Sequence, residues 1–155
     1  MKKSIIFSVL FILATAMIFA FITLPPEVNP SVNTTADKGI QFAEPNLAKA
    51  LQEAKKQKKM VFVDAYTSWC GPCRMLKQNT FTDKAVGEFF NKNFINIALD
   101  MEKGDGIAFS EKYQIVAYPT LLIIDADQTS TSVTEGYMEP AQLLEFGKAV
   151  LAQKR

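Results

Sequence analysis

A run of four apolar residues, Met60-Val61-Phe62-Val63, leads through Asp64-Ala65-Tyr66 to Trp69-Cys70-Gly71-Pro72-Cys73, and no other stretch constrains the fold as much. A continuous apolar, β-branched run is the pattern of a strand covered on both faces, so it belongs in the middle of a sheet. Pro72 suits the first turn of a helix, where its missing N–H costs nothing. A buried strand that gives way to a helix at a cysteine pair thus sets a strand-turn-helix unit at the centre of the molecule.

The neighbouring segments fit around that unit. Leu47, Ala50, Leu51 and Ala54 recur at helical spacing from Asn46 and end in Lys55-Lys56-Gln57-Lys58-Lys59, a solvated helix end whose cations complement the dipole. Leu76 to Phe81, then Val86, Phe89 and Phe90, also have helical spacing, with Thr82-Asp83 as the cap of a second segment. Phe94 to Leu99 reads as a strand, Ile107 to Tyr113 as a short helix and Thr120 to Ile124 as a third buried strand. A turn at Asp125-Ala126-Asp127-Gln128 precedes an alternating strand at Thr131 to Glu135, and an amphipathic helix runs from Pro140 to about Gln153. Strands that first alternate with helices and then pair as a hairpin predict an α/β fold, a central mixed sheet with helices on both faces.

Ahead of the domain, Lys2 and Lys3 precede an uncharged stretch from Ser4 to Leu24. Residues 1–24 therefore read as a signal peptide or an N-terminal membrane anchor, since 21 helical residues span about 30 Å. In both cases the positive end stays cytoplasmic and the rest lies outside. Residues 25–44, rich in Pro, Ser, Thr and Asn, read as a spacer, which leaves 45–155 as the folded domain. Without Lys2 and Lys3 the chain has 15 basic residues against 16 acidic ones, which gives no nucleic-acid surface.

The chain has two cysteines and no histidine. A structural zinc site needs four such ligands, haem attachment needs a histidine where Arg74 stands, and a bridge closing so small a loop restricts the unfolded chain little. Ser-His-Asp and Cys-His catalysis are excluded as well. A redox pair is the reading that remains. A copper(I) clamp using Cys70, Cys73 and a methionine is the alternative from another class, although Met75 and Met101 read as packing residues. At the start of a helix, Cys70 faces backbone N–H groups that favour its thiolate.

The segment from Val61 to Arg74 resembles the thioredoxin active site with its preceding strand. Ala117-Tyr118-Pro119-Thr120 resembles that family's cis-proline loop, and Gly136-Tyr137 its late glycine. The resemblance covers roughly residues 45 to 155. It implies the thioredoxin fold and thiol-disulfide exchange without a cofactor or metal, by a disulfide between Cys70 and Cys73. In these terms Cys70 is the attacking thiolate, Cys73 the resolving thiol and Asp64 the buried acid that accepts the Cys73 proton. Trp69, Gly71, Pro72, Tyr118 and Pro119 contact substrate, with the Tyr118 backbone pairing with an extended segment.

Asn79-Thr80-Phe81-Thr82-Asp83 with Val86 and Phe89-Phe90-Asn91 is similar to the exported thioredoxin-like domains of membrane thiol-disulfide interchange proteins. The Gly-Pro spacer resembles reducing members of the family. The resemblance therefore implies a monomeric extracytoplasmic reductant of exported proteins that is recharged by a membrane thiol donor and attached, where uncleaved, through residues 4–24. The runner-up within the same chemistry is a reductase for cytochrome c maturation. Two positions depart from the family pattern: Tyr66 stands where tryptophan is frequent, and Asn96 aligns with the lysine that neighbours the buried acid.

Overall fold

The strand expected from Met60-Val61-Phe62-Val63 extends as β1 from Met60 to Tyr66, buried as far as Ala65. The computed structural model describes residues 39–153. β1 is covered on both sides because its alternate residues feed two separate cores. Val61, Val63 and Ala65 join Ile97, Leu99, Leu122 and Ile124 in one, while Met60 and Phe62 join Phe94, Leu121 and Ile123 in the other.

β2 (Phe94–Asp100), β3 (Thr120–Ile124) and β4 (Thr131–Glu135) complete a sheet of order β2-β1-β3-β4. β2 lies parallel to β1, whereas β3 is antiparallel to β1 and β4 antiparallel to β3. The mixture follows from the connections, since a parallel pair needs a long crossover and an antiparallel pair only a turn.

Five α-helices flank the sheet among the described residues: α1 Leu47–Gln57, α2 Gly71–Met75, α3 Lys84–Asn93, α4 Asp105–Tyr113 and α5 Pro140–Gln153. α1 and α4 cover the first core with Ala50, Ala54 and Phe109, and α3 and α5 cover the second with Val86, Phe90, Leu143 and Val150. The expected placement of helices on both faces is therefore present. The cap expected at Asp83 is present, its side chain accepting the Val86 N–H at 2.9 Å, and Asn46 caps α1 in the same way by accepting the Lys49 N–H at 2.9 Å.

Three expectations change. Leu76 to Phe81 does not continue as α-helix: residues Leu76–Thr80 form a π turn closed by Phe81 N–H on the Leu76 carbonyl at 2.8 Å. One extra residue per turn keeps Leu76 and Thr80 inward, and the Thr80 hydroxyl is satisfied by the Met138 carbonyl at 2.6 Å. Met75, read as a packing residue, is 46% exposed, while Met101 is buried in the first core. The third change concerns the segment assigned to the spacer.

Residues 39–44, the end of that segment, lie against the domain. Ile40 and Phe42 pack on the second core, Ile40 N–H donates to the Phe81 carbonyl at 2.7 Å, and Ala43 N–H donates to the Asn96 carbonyl at 2.8 Å. Gly39 is required by this docking, because a Cβ there would come within 1.8 Å of the Phe81 oxygen. Residues 1–24 and the remainder of the spacer lie outside the described residues. Within these no helix is long and apolar enough to cross a membrane.

Candidate active site

β1 delivers Asp64 and then the cysteine motif to one end of the sheet. Cys70 and Cys73 are bonded, with S–S 2.04 Å and Cα atoms 5.4 Å apart. Cys70 is also the N-cap of α2, with its Sγ accepting the Cys73 N–H at 3.1 Å. Such a bond strengthens when the acceptor carries charge, so the backbone is already arranged for a thiolate at Cys70. Pro72 takes its place in the first turn, as its fixed φ suits. Both sulfur-bearing residues are nearly closed off, Cys70 at 3% and Cys73 at 2% exposure.

The rim around them is aromatic. Trp69 is 63% exposed, and its indole N–H donates to Glu102 Oε1 at 3.0 Å. Its ring meets Tyr118 edge-on with centroids 5.8 Å apart, so the turn before the cysteines and the loop before β3 come together. The Tyr118-Pro119 peptide is cis. Gly136, with φ at 87°, donates its N–H to the Pro119 carbonyl at 2.8 Å and so ties that loop to the end of β4. Such a backbone angle favours glycine, which accounts for the late glycine noted in the sequence.

Asp64 is fully buried, and neither of its oxygens has a hydrogen-bond partner among the described residues. Burial pushes its carboxyl up from 3.8 to about 7, with the positive charge of Lys77 pulling the other way. A carboxyl poised near neutrality can take and return a proton at working pH.

The expected neighbour of Asp64 is corrected by the sheet register. Asn96 lies opposite Phe62, and Ala98 lies opposite Asp64. Asn96 serves elsewhere, its Nδ2 donating to Asn91 Oδ1 at 3.1 Å and to the Gln41 carbonyl at 3.4 Å. The structure thus brings together Cys70 with Cys73 and Trp69 with Tyr118. Two charged residues at this end, Lys77 and Glu102, were missed by the sequence reading. Lys77 had a weak signal, since it follows Cys73 by one helical turn; Glu102 had none.

Comparison with known proteins agrees with this geometry. A family profile described as thioredoxin-like matches residues 42–126. Thiol:disulfide interchange protein DsbD of Pseudoalteromonas atlantica is 32% identical over 104 residues, 65% of this chain and 18% of that protein. The chain spans about a fifth of the DsbD proteins it matches, 18% and 21% of the first two. Thioredoxin-like protein slr0233 of Synechocystis is 33% identical over 105 residues, 68% of this chain and 90% of that protein. A solution structure from Bacteroides thetaiotaomicron, described as a proposed disulphide-isomerase, is 38% identical with a TM-score of 0.63, covering 72% of this chain and 94% of that one. With its Cys-x-x-Cys pair at disulfide distance, the chain belongs to the thioredoxin-like family of oxidoreductases.

Proposed function

We propose that this chain is an extracytoplasmic thiol-disulfide oxidoreductase that reduces disulfides of exported proteins through Cys70 and Cys73. The observation that carries the reading is a bonded cysteine pair whose first sulfur already accepts a helix N–H, set beyond a strand that buries Asp64 with no hydrogen-bond partner among the described residues. Cys70 is the attacking sulfur, because the N–H bond it accepts favours its thiolate. Cys73 resolves the mixed disulfide from within the same short loop, where its effective concentration is very high. Asp64 takes the Cys73 proton.

Trp69, Gly71, Pro72, Tyr118 and Pro119 form the rim that receives the substrate. Exposed aromatic surface at 63% for Trp69 beside nearly closed sulfurs suits an extended segment laid across the rim more than a deep ligand. The reducing direction is supported by the Gly-Pro spacer, and the location by the uncharged Ser4 to Leu24 stretch. Matches to thiol:disulfide interchange proteins support a membrane thiol donor as the source of electrons. The domain acts as a monomer, with attachment through residues 4–24 wherever that segment is retained.

The test uses the full chain. Reduced protein should accelerate insulin reduction by dithiothreitol, and a Cys73→Ser variant should accumulate mixed disulfides with exported proteins while Cys70→Ser does not. A reduction potential of about −200 mV or lower supports the reducing direction, whereas one near −120 mV overturns it. Trapping of apocytochrome c alone would narrow the substrate to cytochrome c maturation. Stoichiometric copper(I) binding without insulin reduction would favour the metal-binding alternative instead.

A further inference from the structure

A buried carboxylate needs a nearby positive charge if it is to be ionised for part of the time at neutral pH. Paired residues on adjacent strands share a face, so the sheet positions able to supply that charge to Asp64 are Ala98 on β2 and Leu121 on β3, and neither side chain is charged. The space beside Ala98 is not filled by the sheet. It opens as a groove of about 380 Å³ that Ala98 lines together with Phe42, Phe81, Thr82 and Lys77.

Lys77 reaches this groove from the π turn. Its Nζ stands 3.2 Å from the centroid of the Tyr66 ring, and Tyr66 is two residues beyond Asp64 on the same face of β1. The ring therefore holds the ammonium of an otherwise exposed side chain on the face of β1 that carries Asp64. Asp100 is the competing anion. Burial pushes its carboxyl up, but the Glu102 N–H, Lys103 at 3.1 Å and Lys77 together hold it below the ordinary range. Asp100 thus has a cation of its own, whereas Asp64 has no hydrogen-bond partner among the described residues.

We propose that Lys77 is a positioning residue for thiol-disulfide exchange: presented by the π turn and seated on Tyr66, it gives Asp64 the positive charge that Ala98 does not, and keeps part of it ionised as a proton acceptor. The inference rests on the reading of Asp64 as the acceptor for Cys73. In the resolving step the Cys73 S–H bond breaks, its proton passes to the Asp64 carboxylate and its electron pair stays on sulfur. That sulfur forms the bond to Cys70 Sγ while the bond from Cys70 to the substrate sulfur breaks. The substrate thiolate leaves with the electron pair and is protonated by solvent, so two electrons pass from the dithiol to the substrate. Loss of the Lys77 charge keeps Asp64 protonated to higher pH and starves this step of its base.

The test compares wild type, Lys77→Met, Lys77→Arg and Asp64→Asn in the full chain. Two quantities are followed against pH: the single-turnover rate of mixed-disulfide resolution with a fluorescent disulfide peptide, and the Asp64 carboxyl titration by ¹³C NMR in the oxidised protein. Lys77→Met should raise the titration midpoint by about 0.3 unit or more and move the rate profile up with it. Its rate near neutrality should fall about 1.5-fold or more and rejoin wild type at high pH. Lys77→Arg, which keeps the charge, should retain the wild-type profile. A midpoint shift smaller than this in Lys77→Met, with Asp64→Asn still losing the pH-dependent limb, overturns the role of Lys77 and spares that of Asp64. If Asp64→Asn keeps the wild-type limb, the acceptor reading falls and the Lys77 proposal falls with it.

Discussion

Phe62 and Asp64 stand two residues apart on β1, point to the same face and are both fully buried, yet one is surrounded by rings and the other has no hydrogen-bond partner among the described residues. The Phe62 ring meets Phe90 at 4.7 Å, Phe81 at 6.2 Å and Phe42 at 6.4 Å between centroids. Two positions later the same face of β1 carries a fully buried carboxyl group. A single strand thus stabilises the fold at one end and holds a costly ionisable group at the other, and the first makes the second tolerable.

The largest test of this contrast removes the packing end. Phe62→Ala should cost about 3–5 kcal/mol, read as a fall in the urea midpoint of the oxidised chain, because the ring leaves a cavity among other aromatic rings that cannot close over it. A loss under about 2 kcal/mol would mean that the aromatic cluster is not what anchors β1.

The opposite sign is expected at the other end. Folding raises the Asp64 carboxyl from 3.8 to about 7, so between those values the native chain binds more protons than the unfolded one. Stability at this site is full below the unfolded value, falls as pH rises through that window and is lowest above the folded value. Asp64→Asn should therefore match wild type near about pH 4 and exceed it by as much as about 4 kcal/mol near about pH 8. Equal urea midpoints at both pH values would show that the buried carboxylate carries no cost.

The same contrast separates what was legible in the sequence from what was not. The strands could be read because a doubly covered strand leaves an unbroken apolar run, as at Met60 to Val63, and the cap at Asp83 because one residue type does that local work. The cysteine pair, Asp64, Tyr118 and Pro119 were visible through motif and order.

Register was not visible, since nothing local to Asn96 says whether it or Ala98 faces Asp64; that is decided by how two distant strands slide into pairing. The π turn escaped because its apolar spacing imitates an α-helix, and with it went the placement of Lys77 over Tyr66. Ile40 and Phe42 were hidden in a polar stretch too short to show any period, although they pack on the same core as Phe62.

A second carboxylate near the site sharpens the point that burial, more than charge, sets the cost. Glu102 is exposed and accepts the Trp69 indole N–H at 3.0 Å, so it is solvated as well as bonded. Glu102→Ala should change stability by no more than about 0.5 kcal/mol, the range of exposed polar pairs. Trp69 is the chain's single tryptophan, so tryptophan emission from the oxidised chain reports on this rim. Loss of the acceptor should shift that emission while the urea midpoint stays in place. A destabilisation above about 1 kcal/mol would put Glu102 among the groups that hold the cysteine loop in shape, and the rim could then no longer be treated as a surface laid over an independently stable frame.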